Sequence, residues 1–290
     1  MAAPTRAAPA RGKSRFRPRH FAVMLALYAL LVLFAVLAIG PFLWLLSTSL
    51  KGGENLLTFP PKLLPSEPNL RFYINVWEAQ NMPRYLHNTA VITLWGVLAN
   101  LALSATSGYA LARIRFPGRD IIFFLIVATL VLPNTLGIVV NFITLVRMGV
   151  MGTFAAVVLP NAVTVFNVFL LRQAFLSIPR ELEDAGRIDG ASEFTLWWRI
   201  MLPLVKPALA TVIIFEFVAF WNMYLWPLIV IRNPDDFPLS VAIARLTTGE
   251  LSLSYGNIAA ATIISMVPVI VIFLLLQRYF IEGIAGSVKG

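Results

Sequence analysis

Six stretches of the chain stay apolar over the length a single helix needs to cross a bilayer. They lie within Phe21–Leu50 and at Leu86–Ala112, Ile121–Val146, Met148–Leu171, Pro207–Ile231 and Leu251–Gln277. A hydrocarbon core about 30 Å thick takes about 20 helical residues to span. Barrel strands alternate over about ten residues, and these runs do not. An isolated apolar run in lipid must satisfy its own backbone, which a helix does locally. The pattern predicts an all-α, polytopic membrane bundle of six transmembrane helices. Pro41, Pro133, Pro160, Pro227 and Pro268 fall within five of the six runs. Each removes a backbone donor and crowds the preceding turn, so bent, closely packed spans are expected. Glu216 is the one charge inside any of them.

Composition leaves lipid as the solvent. Hydrophobic residues make up 59% of the 290 and charged residues only 13%, where soluble domains carry about a quarter charged. The net charge of +9 by itself suits a nucleic-acid partner, but the basic residues cluster beside apolar runs, as topology determinants do. With the N-terminus inside, sixteen Lys and Arg fall on inner segments and seven on outer ones. Both termini are therefore expected in the cytoplasm, with residues 51–85 outside as a cap that includes an amphipathic piece at Phe72–Trp77. Cysteine is absent and only two histidines occur, so no metal site is expected. Residues 1–20 form a basic tail, read as disordered or as a weak ligand of anionic headgroups. The 30 uncharged residues of Phe21–Leu50 are too long for a signal peptide, so residues 21–290 are one membrane domain.

The inner segment 173–206 differs from the other loops. Between Arg172 and Lys206 it holds five acids beside five bases, and it reads as two short helices. Pro179 suits a first turn. Glu181, Glu183 and Asp184 then complement the helix dipole. Leu182, Ala185, Gly186 and Asp189 share a face made flat by its small residues. Gly190 stops the helix and Ser192 caps the next, whose Phe194, Trp197, Trp198 and Met201 form an apolar stripe ahead of Pro203. From the residues alone, a docking surface and an amphipathic hairpin lying on the membrane both stay open.

Pro179–Pro207, PRELEDAGRIDGASEFTLWWRIMLPLVKP, resembles the EAA loop of ABC-importer permeases, most closely that of sugar importers of the maltose and glycerol-3-phosphate type. The motif positions are Asp184, Ala185, Gly186, Gly190, Ile200, Leu202 and Pro203, with Asp for the usual Glu and Gly for the second Ala. GYALARIRFPGR at Gly108–Arg119, FLLRQAFLSIP at Phe169–Pro179 and WNMYLWPL at Trp221–Leu228 are similar to further segments of the family. So is the end of the chain, Gln277–Gly290, which resembles the partner whose tail reaches the ATPase.

The resemblance implies a permease subunit, not an enzyme, in a bacterial or archaeal cytoplasmic membrane. It would pair with a second permease as a heterodimer. Two copies of a cytoplasmic ABC ATPase would hold the loops through Glu181, Glu183, Asp184, Ala185, Gly186, Asp189, Gly190 and Pro203. A second ATPase contact would be Gly286, Ser287, Val288 and Lys289. An extracytoplasmic substrate-binding protein would deliver sugar, which crosses by alternating access. ATP and Mg would sit on the ATPase; this chain has no GxxxxGK[ST] and supplies no P-loop. The expected partners are these proteins and membrane lipid, with no nucleic acid.

Glu216, Trp221, Asn222 and Tyr224 are candidates for the substrate pathway. Intramembrane acids mark functional sites by default, and aromatic faces beside an amide suit a sugar. A structural hydrogen-bond partner for Glu216 and interfacial anchoring for the aromatics are the competing readings. A non-sugar cargo is the alternative within the family. A secondary transporter would need paired ionisable groups or an inverted repeat, and an enzyme an acid–base pair; neither is visible.

Overall fold

The computed structural model describes residues 18–52, 62–133, 136–248 and 255–287, which are overwhelmingly helical. No strand occurs among them; one isolated bridge joins Lys51 to Asn69. Three helices are long and apolar enough to cross a membrane: α1 (Pro18–Ser49), α3 (Met82–Arg113) and α14 (Tyr255–Ser287). Two bent pairs would bring the number to five if each counts as one span. In the first, Phe154–Asn161, made of α6 (Phe154–Val158) and a short turn containing Pro160, meets α7 (Val165–Leu176) at 50°. In the second, Glu193–Leu204 meets α11 (Lys206–Trp221) at 80°.

The predicted third span is in two pieces, α4 (Arg119–Ala128) and α5 (Gly137–Arg147), each shorter than a bilayer requires. The predicted fourth span begins later than expected. Gly149 and Gly152 turn the chain at φ +70° and +84°, and the Thr153 hydroxyl accepts from the Ala156 N–H at 3.4 Å to start α6. After α11 the helix lapses at Asn222–Tyr224 and resumes as α12 (Leu225–Val230). A helix the hydropathy pattern did not predict, α13 (Leu239–Thr248), precedes the last span. The amphipathic segment forms α2 (Arg71–Glu78), which buries Phe72 and Val76.

At Pro160 a neighbouring helix covers what the proline exposes, whereas α1 and α14 run unbroken through Pro41 and Pro268. Pro160 has no N–H for the carbonyl of Ala156, four residues back. That carbonyl accepts from the Trp226 indole at 3.0 Å. In a medium without water such a repair is what allows the break. The Trp221 indole donates to the Ser265 carbonyl at 2.9 Å and joins α11 to α14, which runs unbroken through Pro268.

At the centre stands α3, which packs on α7 and α11, while α14 joins α11 to α1. Two glycines of α3 permit this closeness. A Cβ at Gly96 would sit 2.5 Å from the Phe220 ring, and one at Gly108 would lie 3.1 Å from the Arg172 backbone nitrogen of α7. By contrast α4 buries no residue, and the spanning part of α1 is exposed along nearly all its length.

Candidate functional site

The loop after α7 folds as a helical hairpin. Its first arm is α8 (Glu181–Ile188), starting two residues beyond Pro179. Glu181, Glu183 and Asp184 stand in the first turn and Arg187 in the last, the charge order that complements the helix dipole. Gly190 ends it with φ +80°. The Gly190 N–H donates to the Arg187 carbonyl at 3.1 Å and the Ala191 N–H to the Gly186 carbonyl at 3.0 Å. That pair of bonds is a Schellman stop, which a Cβ at Gly190 would strain. The Ser192 hydroxyl accepts from the Thr195 N–H at 3.3 Å and caps the second arm, as its sequence position predicts. This arm is α9 (Glu193–Thr195), a π turn at Leu196–Met201 and α10 (Leu202–Leu204). The π turn lies directly ahead of Pro203, which has no N–H to continue an α ladder.

The faces of the hairpin differ from the sequence expectation in one respect. Gly186 does not contribute to an open flat surface. It is buried, and its missing side chain makes room for the second arm: a Cβ there would meet Leu196 Cδ2 at 2.6 Å and Ile200 Cδ1 at 3.0 Å. The exposed face consists of Leu182, Ala185, Asp189 and Ile188, the last 86% exposed. In the second arm the expected stripe is split. Met201 and Leu196 are buried, whereas Phe194 and Trp198 are exposed.

Beneath the hairpin lies a charged anchor. The side chains of Arg113, at the end of α3, and Glu183 are 3% and 5% exposed, and Arg113 Nε lies 3.1 Å from Glu183 Oε1. The guanidinium directs its protons at backbone carbonyls. Nε donates to Phe175 O at 3.1 Å, and Nη2 donates to Phe175 O and Ile178 O. Glu183 Oε1 is thus left without an aligned donor and is held by charge alone. Arg187 gathers the remaining acids, reaching Glu183 at 3.6 Å, Asp184 at 3.3 Å and Glu193 at 3.0 Å. Its bond to Glu193, together with the surrounding acids, raises its pKa further still. The Tyr109 hydroxyl donates to Glu193 Oε2 at 3.1 Å, so α3 holds both arms. Sequence alone does not distinguish Arg113 from Arg115 and Arg119, which cluster with it beside an apolar run as topology determinants do.

A second polar cluster sits deeper in the bundle, between α3, α7 and α11. Glu216 is buried, and its Oε1 accepts from Thr164 Oγ1 at 2.9 Å and Asn167 Nδ2 at 2.6 Å. Asn167 also donates to Asn100 Oδ1 at 2.9 Å, which takes a further bond from Ser104 at 3.0 Å. Asn100 Nδ2 donates to Thr164 at 2.8 Å. A polar i, i+4 pair inside an apolar run, Asn100 and Ser104, is the signal that would have located it. Of the other pathway candidates, Trp221 is buried and stacked on Phe217 with centroids 5.3 Å apart. Asn222 bonds the Val218 carbonyl at 2.9 Å and is exposed. Tyr224 is exposed. In the C-terminal candidate contact, Gly286 and Ser287 end α14, whereas Val288 and Lys289 lie outside the described residues.

Residues 92–286 match the family model described as the binding-protein-dependent transport system inner membrane component. The chain belongs to this family. The permease is 35% identical to the arabinooligosaccharides transport system permease protein AraQ of Halalkalibacterium halodurans, over 88% of this chain and 93% of that protein. It is 32% identical to the diacetylchitobiose uptake system permease protein NgcG of Streptomyces coelicolor, over 90% of this chain and 86% of that one. Among solved structures it resembles a chain of a bacterial ABC transporter involved in import of the acidic polysaccharide alginate. There the TM-score is 0.81 at 28% identity, covering 94% of this chain and all of the other. The permease is thus a membrane-embedded transport subunit of an ABC import system, not an enzyme.

Proposed function

We propose that the permease moves a sugar or sugar derivative into the cytoplasm by alternating access, driven by a separate ATPase seated on the α8–α10 hairpin. The observation that carries this reading is the two-sided build of α8. Its underside is bolted to α3 through Arg113 and Glu183, while Leu182, Ala185, Ile188 and Asp189 are left outward. A body seated on that outer face moves the spans with it. The sugar class comes from the relatives, whose names specify arabinooligosaccharides and diacetylchitobiose.

The rest of the assembly follows from that division of labour. A second permease completes the pathway, two ATPase copies carry ATP and Mg, and an extracytoplasmic binding protein presents the cargo. Six spans with both termini in the cytoplasm of a bacterial or archaeal cell arise when α4–α5, α6–α7 and α11–α12 each cross once as broken helices. In this conformation Glu216 and Trp221 hold the bundle together, and the exposed Asn222 and Tyr224 are the pathway candidates open to cargo.

The test is co-purification with the ATPase and ATP-driven uptake in proteoliposomes for Asp184→Lys and Gly190→Arg. Asp184 is exposed, so Asp184→Lys should fold. At Gly190 there is open space, but φ +80° strains any side chain. The thermal midpoint of Gly190→Arg is therefore read alongside, and Asp184→Lys carries the test if it falls. Loss of capture and uptake is expected, and wild-type behaviour of both would end the docking assignment. With no native cysteine, single-cysteine labelling near each terminus reads the topology, and labelling of either from outside intact cells would overturn it.

A further inference from the structure

Beside the hairpin, at the start of α4, lies an open cleft of about 460 Å³ lined by Arg115, Phe116, Arg119, Asp120, Ile121 and Arg180. Its one acid is engaged: Asp120 pairs with Arg119 at 3.2 Å and with Arg172 at 3.9 Å. Among the described residues Arg115 and Arg180 have no carboxylate partner, and both are exposed. The nearby hairpin acids Glu183, Asp184 and Glu193 are already held by Arg113 and Arg187. Two guanidiniums with spare donors therefore converge on a cleft with a third beside them. Planar guanidinium forks suit phosphate oxygens.

The cleft also has an apolar continuation. From its edge α4 runs on with Ile121, Phe124 and Leu125 on one face, each more than half exposed, at the i, i+3, i+4 spacing of a single stripe. Cations at the mouth and an uninterrupted apolar track leading away match an amphiphile with an anionic head. A soluble anion would use the cations only, and an acidic protein surface would have no use for the track.

We propose that Arg115, Arg119 and Arg180 bind the phosphate of an anionic membrane lipid whose acyl chain lies along α4. A basic residue near an anionic lipid surface contributes about 1 kcal/mol. Removing two should therefore weaken binding about 30-fold, at a tenfold change per 1.4 kcal/mol.

The experiment uses the full-length chain in a neutral detergent. Phosphatidylglycerol, phosphatidylcholine and inorganic phosphate are titrated separately and bound adducts counted by native mass spectrometry. Expected is saturable retention of phosphatidylglycerol, about 30-fold weaker in Arg115→Gln/Arg180→Gln and restored in Arg115→Lys/Arg180→Lys. Millimolar phosphate should not displace it. Both side chains are exposed, so elution volume and thermal midpoint should not change. Equal retention of phosphatidylcholine, or displacement by free phosphate, overturns the proposal. So does a Gln double variant that keeps its lipid but no longer captures the ATPase, which would assign the arginines to that partner.

Discussion

Arg113 and Glu183 form a buried pair whose two halves are unequal, and that inequality can be measured. Replacing Arg113 by Met removes every cation within 3.5 Å of Glu183, since Arg187 stands at 3.6 Å. The carboxylate stays buried, and the carbonyls of Phe175 and Ile178 lose their guanidinium donor. Breaking a buried pair from one side costs about 3–5 kcal/mol. Replacing Glu183 by Gln is milder, because the guanidinium keeps its bonds to both carbonyls. The loss is then a charge contact without an aligned hydrogen bond, at most the about 1.5–3 kcal/mol of a charged hydrogen bond. The double change Arg113→Met/Glu183→Met leaves no buried charge and should recover much of the Arg113→Met loss. The assay is thermal unfolding of the full chain in one detergent, with ATPase capture read in parallel. The expected order of midpoints is wild type, Glu183→Gln, the double variant, then Arg113→Met, with capture weakest for the last. Equal losses for the two single variants, or a double variant as unstable as Arg113→Met, would refute the assignment of Arg113 as the anchor of the hairpin.

Two further outcomes are expected from the same measurement. Trp226→Phe keeps the ring but leaves the Ala156 carbonyl unsatisfied beside Pro160, which should cost about 1–3 kcal/mol; an unchanged midpoint would mean that the carbonyl finds another donor. Glu216→Gln retains an acceptor for Thr164 and Asn167 and should stay within about 1 kcal/mol of wild type, whereas Glu216→Leu strands the Thr164 hydroxyl at about 1–3 kcal/mol and leaves Asn167 only its bond to Asn100. If transport falls with Glu216→Gln while stability holds, the carboxylate acts in the pathway as well as in the bundle.

The class of fold was legible because lipid imposes it: few charges and long apolar runs leave helices as the answer. The hairpin was legible for a local reason. Its acids, its Gly190 stop and its Ser192 cap all act within a few residues of where they stand. What escaped were relations between distant residues. Arg113 looks like its neighbours Arg115 and Arg119 in sequence, and only the approach of α8 separates the buried Arg113 from the half-buried Arg119 and the exposed Arg115. Gly186 announces a close approach without saying to what, and the answer was the other arm of the same hairpin. The tryptophans of the Trp221–Leu228 segment offered aromatic faces for a sugar, yet both indole N–H groups go to backbone carbonyls of neighbouring helices. Hydropathy counted α4 and α5 as one run because apolar content does not record a break in the backbone.

The two polar clusters have a joint consequence for coupling. Asn100 and Arg113 are both on α3, thirteen residues apart in sequence, hence about 20 Å along the helix axis at 1.5 Å per residue. At the upper point Asn100 ties α3 to α7 and through it to Glu216 of α11; at the lower point Arg113 ties α3 to the end of α7 and to α8. Two clamps that far apart resist rotation of α3 against α7 as well as sliding, where one clamp would resist sliding only. Between them the contact opened by Gly108 is apolar except for one bond, from Arg172 Nε of α7 to the Leu111 carbonyl of α3 at 3.2 Å. A force on the outer face of α8 is therefore delivered to α3, α7 and α11 as one body. On this argument Glu216→Leu, distant from the hairpin, should leave ATPase capture intact while lowering the uptake obtained per ATP hydrolysed. Arg113→Met should instead reduce capture itself. A Glu216→Leu variant that stays folded and fully coupled would show that the lower clamp suffices.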